Sequence, residues 1–195
     1  MSERYTFRHE VDFQEYDAVV ESSRFSIASP GLGGTDACMA CEITSTTEVY
    51  YSRAISWTNF EPEFLIRVHI DPNSLTMPTG AGFSYIRVMQ STNRFVYLML
   101  GWNGSSYTLS GGVNNDAFSS TDFSAVTITD AEHVVEVRII RADTASSNDG
   151  QAIFRVDGTT RQTVTGLDIY NIFNDMSQIR VGGTNSIDSG TSGTF

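Results

Sequence analysis

The chain has 195 residues, of which 23 are acidic and 12 basic, for a formal net charge of -11; every basic residue is arginine, because the sequence holds no lysine. So acidic a surface repels phosphate backbones and anionic membranes, which excludes nucleic acid as a partner and leaves neutral sugars, cations or a basic protein. No apolar run approaches the roughly 20 residues that a membrane-spanning helix needs, which excludes membrane insertion. The length suits one all-β unit, since such domains run to about 200 to 250 residues. A chain of this size buries roughly 70% of its unfolded surface and needs no staple.

The N-terminus, from Met1 to Glu10, lacks the apolar core of a signal peptide. Either a leader has been removed, or the protein reaches its site without one, as virion proteins do. Alternating patterns predict strands at Tyr5 to Phe13, Ser23 to Ile27, Ala37 to Thr44 and Val49 to Trp57. Phe64 to Ile70 is the clearest central strand, stopped by Asp71-Pro72, and Phe83 to Met89 and Phe95 to Leu100 follow. A short strand is expected around Tyr107 to Leu109, a Gly-, Asn- and Ser-rich loop from Gly111 to Asp122, and a short helical turn near Leu167 to Phe173.

The stretch from Glu132 to Gly183 carries the firmest pattern. His133 to Arg141 alternates, Ala142 to Gly150 turns, and Gln151 to Val156 alternates again, which is a β-hairpin; Asp157-Gly158 then reverses the chain into Thr159 to Thr165, completing a meander. Gln178-Ile-Arg-Val-Gly-Gly183 supplies a last strand after a loop. This order of strands and turns resembles the C-terminal half of the concanavalin A-like and laminin G-like jelly rolls, from about Trp57 onward. The resemblance implies an all-β, two-sheet antiparallel jelly-roll β-sandwich, with residues 1–195 as a single domain. It also implies that Gly193-Thr194-Phe195 opens a further strand beside the N-terminal one. A final strand beyond residue 195, or one supplied by another chain, is therefore expected to complete a sheet.

Strict alternation sorts the central strands into two faces. Phe64, Ile66, Val68, Ile70, Ile86, Val88, Val96, Leu98, Leu100, Val135, Val137 and Ile139 fall on the core side. Arg67, His69, Tyr85, Arg87, Tyr97, Met99, Glu136 and Arg138 fall opposite. In jelly rolls of this kind such a face is often concave and used by glycan-binding members. Rings stack on the C–H faces of sugars and guanidinium groups take their oxygens, so Arg67, His69, Tyr85, Arg87, Tyr97 and Arg138 are candidate ligand-binding residues. The competing reading of the same residues is a solvated face laced by cross-strand pairs. Trp102, beside Asn103-Gly104 at a strand end, is a further candidate sugar platform, while Trp57 is expected in the core.

Glu61 and Glu63 have the spacing of paired glycosidase carboxylates, but Pro62 interrupts them and no third carboxylate follows. Cys38 and Cys41 on one strand would have Cα atoms about 10 Å apart, at about 3.3 Å per residue, too far for a disulfide, which needs less than about 7 Å. Laminin G-like domains often hold calcium at a loop rim, which makes Asp143, Asn148 and Asp149 candidate calcium ligands. Turn chemistry explains the same Asp and Asn residues equally well. Asn103-Gly-Ser105 matches the N-glycosylation pattern.

The sequence thus leads to a non-catalytic module, not an enzyme, in an extracellular or virion-surface setting. It would serve adhesion or recognition by binding glycan or a surface protein through a sheet face or rim loops. A structural virion component, such as a phage capsid decoration or fibre protein built as a homo-oligomer or lattice, is the alternative. A polysaccharide-cleaving enzyme is the second, with Arg67, His69 and Tyr85 resembling the residue types of jelly-roll polysaccharide lyases.

Overall fold

The computed structural model describes residues 18–55 and 62–195, so the expected strand at Tyr5 to Phe13, and Trp57 and Glu61, lie outside the described residues. In chain order the strands are β1 (Ala18–Val20), β2 (Phe25–Ala28), β3 (Cys38–Ile43), β4 (Val49–Ala54), β5 (Glu63–Ile70), β6 (Gly82–Gln90) and β7 (Asn93–Trp102). They continue with β8 (Tyr107–Asn114), β9 (Ser120–Ile128), β10 (His133–Ile140), β11 (Gly150–Val156) and β12 (Thr159–Leu167). The short helix α1 (Tyr170–Asn174) precedes β13 (Gln178–Asn185) and β14 (Gly193–Thr194).

A seven-stranded antiparallel sheet runs β1-β4-β13-β6-β7-β8-β9, a four-stranded one β12-β11-β10-β5, and a three-stranded one β14-β3-β2. The meander read from Asp157-Gly158 is β10-β11-β12; both turn residues have positive φ, 52° and 73°, as the tight reversal requires. Every residue placed on the core side by alternation joins one apolar cluster between the sheets. Phe123 of β9 and Phe154 of β11 stack across the interface at 5.1 Å with their planes 4° apart, tying the seven-stranded sheet to the four-stranded one.

One expectation changes, and the C-terminal segment gains a partner among the described residues. The loop expected from Gly111 to Asp122 is mostly strand: β8 runs on to Asn114 and β9 begins at Ser120. Glycine suggested a loop, yet here it permits close approach, because a Cβ on Gly111 would lie 2.3 Å from the Tyr97 carbonyl oxygen. The C-terminal Gly-Thr-Phe pairs with β3 through Gly193–Ile43 and Thr194–Glu42. Phe195 then exchanges backbone hydrogen bonds with Cys41 and sets its ring 5.0 Å from Phe83. Cys38 and Cys41 are both free, one half-buried and one buried. Among the described residues no helix is long and apolar enough to cross a membrane.

Candidate functional site

Two β-bulges shape the outer face of the seven-stranded sheet. In β6 the pairing with β7 passes from Ser84–Met99 to Ile86–Leu98, leaving Tyr85 as the extra residue. In β7 it passes from Val88–Val96 to Met89–Arg94, leaving Phe95 extra. A bulge breaks the two-residue alternation, so each turns an aromatic side chain into the interior beside a core residue of the same strand, Tyr85 next to Ile86 and Phe95 next to Val96. Tyr85 and Phe95 are both buried, and Arg94 shares the outer face with Tyr97, its guanidinium 3.5 Å from the ring centre.

Between the bulges a cross-strand row forms. Ser52 of β4 pairs with Arg180 of β13, Arg180 with Arg87 of β6, Arg87 with Tyr97 of β7, Tyr97 with Gly112 of β8, and Gly112 with Asp122 of β9. Residues directly opposite on antiparallel strands point to the same face, so these side chains line one surface. Arg180 lies over the ring of Tyr50 at 4.7 Å and donates from Nε to Gln178 Oε1 at 2.8 Å. Tyr97 reaches over Gly112 to donate to Asp122, which also accepts from Ser120 at 2.5 Å. A Cβ on Gly112 would lie 2.6 Å from the Tyr97 hydroxyl, so glycine keeps that path open.

The electrostatics divide along this row. The Ser120 and Tyr97 hydrogen bonds hold the Asp122 carboxyl below its ordinary value, and Arg94 acts in the same direction against the cost of burial. Burial and the bond to Asp122 push the Tyr97 phenol up, against the pull of Ser120 and Arg94. Arg87 is half-buried and its pKa is lowered, first by loss of water and then by Arg180 and Arg94, while Glu48 and Tyr50 oppose the shift. Its Nη1 donates to the Thr184 carbonyl at 3.2 Å, but its buried Nε has no partner among the described residues. A guanidinium withdrawn from water beside two others, with a donor left over, is a site that an anion would satisfy.

Of the residues expected on one face, Arg87 and Tyr97 come together here. Arg67, His69 and Arg138 lie on β5 and β10 in the other sheet, where they face the carboxylates of Glu136 (3.8 Å), Glu132 (2.7 Å) and Glu63. That corrects the single-surface expectation: strands that alternate alike, β5 and β10 on one hand and β6 and β7 on the other, belong to two sheets. Tyr85 is buried in the core rather than on the face, because the bulge turns it inward, and burial pushes its phenol up. Trp102 sits at the end of β7 with its ring 4.9 Å from Tyr107. In the β10–β11 loop Asp149 accepts from the Asp143 amide at 3.0 Å and from Ser147 at 2.8 Å, which is turn capping. Among the described residues no group of three or more His, Cys, Asp and Glu is placed to hold a metal ion.

Sequence reading missed Arg180, Arg94, Tyr50 and Asp122 as members of the site. The signal for Arg180 was present: it shares a strand face with Gln178 and alternates with Ile179 and Val181, in a strand whose register against β6 only the fold supplies.

No family model matches the chain, and no curated protein matches it. Solved structures do. The endo-β-1,4-glucuronan lyase of the fungus Trichoderma reesei matches with a TM-score of 0.62 at 14% identity, covering 92% of this chain and 87% of that one. The alginate lyase Aly36B matches at 0.63 and 12% identity, covering 94% and 84%, and its mutant with a lysine and a tyrosine replaced by alanine has been solved with an alginate tetrasaccharide. The globular domain of T. cruzi calreticulin matches at 0.57 and 10%, covering 88% and 76%. The fold is therefore an antiparallel jelly-roll β-sandwich, shared with these structures. The recurrence of polysaccharide lyases among these structures overturns the sequence-based expectation of a non-catalytic module that is not an enzyme, and none of them supports the virion-component alternative.

Proposed function

We propose that the chain is a polysaccharide lyase that cleaves a uronate-containing polymer across the outer face of the seven-stranded sheet, with residues 1–195 forming one jelly-roll unit for the purpose. The observation that carries this reading is the trio Arg87, Arg94 and Arg180 gathered on one face of a chain whose net charge is -11. Structural neighbours that act on alginate and glucuronan support it, since both names denote acidic polymers. The substrate would be met outside the cell.

In this reading Arg87 and Arg180 receive the uronate carboxylate, and neutralising it acidifies the adjacent carbon-bound proton. Tyr50, entering the step as the phenolate with the Arg180 guanidinium 4.7 Å from its ring centre, takes that proton on its oxygen and becomes the neutral phenol. The electron pair moves to form a carbon–carbon double bond and expels the glycosidic oxygen β to the carboxyl. Tyr50 returns the proton to that oxygen, so no water is consumed. The neighbour's lysine has no counterpart, because this chain has none. Tyr97, buried beneath Arg94 and held by Asp122, fixes the guanidinium that meets the next sugar. Hydrolysis would need an acid–base pair of carboxylates, whereas the cross-strand row holds Asp122 alone, committed to Ser120 and Tyr97.

The test is to incubate the protein with alginate, glucuronan and a neutral glucan, following the ultraviolet absorbance of the unsaturated uronate. Absorbance should rise with at least one acidic polymer and not with the glucan, and Arg180→Ala should lower kcat/KM by roughly a hundredfold, the scale of losing a charge-assisted contact to the reacting group. Turnover of the acidic polymer unaffected by Arg180→Ala would place the chemistry elsewhere.

A further inference from the structure

A cavity of about 630 Å³ opens at the end of the sandwich, away from the arginine face, between the β7–β8, β9–β10 and β11–β12 turns. Its volume falls in the range of small-ligand sites, roughly 300 to 1,000 Å³. One wall is the half-buried Trp102, held edge-on against Tyr107, whose hydroxyl is anchored to the Leu75 carbonyl at 2.6 Å. The opposite wall is fixed by His133, only 11% exposed and clamped between Asp157 at 2.8 Å and Thr129 at 3.0 Å. Asp130, held by the Ser74 amide and hydroxyl at 2.8 and 2.7 Å, and exposed Arg161 complete it.

We infer that this cavity is an accessory binding site for a neutral sugar residue, separate from the arginine face. A rigid indole wall suits the C–H face of a pyranose ring. The carboxylates of Asp130 and Asp157 keep lone pairs beyond those engaged with Ser74, His133 and the Val134 amide, and they accept from sugar hydroxyls. Two carboxylates against the single guanidinium of Arg161 disfavour a uronate here, so charge divides the two sites: acidic residues go to Arg87 and Arg180, neutral ones to Trp102. The inference does not rest on the lyase reading, since a sugar can occupy the cavity whether or not the arginine face cleaves anything.

Calorimetric titration with cellotetraose and with mannotetraose tests it. At least one should bind saturably by millimolar concentration; Trp102→Ala should weaken that binding roughly tenfold, the scale of one lost stacking contact. Because Trp102 also packs on Tyr107, Thr127→Trp serves as a second variant: it fills the cavity from an exposed strand position and should abolish binding. Arg180→Ala should leave the titration unchanged. The inference is overturned if neither sugar binds, if binding survives both cavity variants, or if Arg180→Ala alone removes it.

Discussion

Gly112 shows how one residue without a side chain sets the site. Tyr97 crosses the backbone of β8 at this position to reach Asp122, and a methyl group would sit 2.6 Å from the phenol oxygen and 2.9 Å from the carboxylate. Gly112→Ala should therefore break the Tyr97–Asp122 bond and cost about 1 to 3 kcal/mol by overpacking, read as a lower denaturant midpoint with unchanged slope. A variant as stable as the parent would mean that Tyr97 does not take this path. Composition alone marked Gly111 and Gly112 as loop, since glycine signals a turn and close backbone approach alike. Which applies depends on whether a neighbouring strand lies across it, and sequence does not show that.

At the scale of elements, the two sheets are held by packing and one end of the sandwich by charge. Phe154 is fully buried and stacks on Phe123 across the interface, so Phe154→Ala should destabilise by about 3 to 5 kcal/mol, measured by chemical denaturation; a loss below about 1 kcal/mol would contradict this cross-sheet role. The β9–β10 turn is tied down by Glu132, which accepts from His69 at 2.7 Å and from the Gly33 amide at 2.6 Å. The His69 bond, chiefly, holds the Glu132 carboxyl below its ordinary value, against a smaller cost of burial. A depressed carboxylate stabilises the fold above its unfolded pKa, and that contribution is lost as pH falls through the folded one. Glu132→Gln should thus melt below the parent at about pH 6, with the gap closing towards about pH 3; a gap that is constant with pH would show that the charge is not what matters.

The elements were more legible than the site. Phe64 to Ile70, the hairpin at Ala142 to Gly150 and the Asp157-Gly158 turn follow from alternation and turn chemistry, and each stands in the structure as β5, the β10–β11 connection and the β11–β12 turn. The face was not legible, because bulges at Tyr85 and Phe95 each shift the alternation by one, and because β5 and β10 lie in a different sheet from β6 and β7. Arg87 and Tyr97 survive that shift since both lie between the bulges.

For the whole molecule, a net charge of -11 and a face of three arginines act on an acidic polymer in opposite directions. Long-range repulsion slows approach and is screened first, while close arginine–carboxylate contacts weaken only at higher salt. KM for the acidic substrate should therefore pass through a minimum as salt rises; a steady rise from the lowest salt would mean that the face alone governs binding. The central claim, elimination on a uronate polymer, is tested most directly by the masses of the products from a defined acidic oligosaccharide. Elimination predicts fragments whose masses sum to that of the parent, one of them an unsaturated uronate. Fragments heavier in sum by one water, or an intact parent after prolonged incubation of folded protein with alginate and glucuronan oligosaccharides, would contradict it.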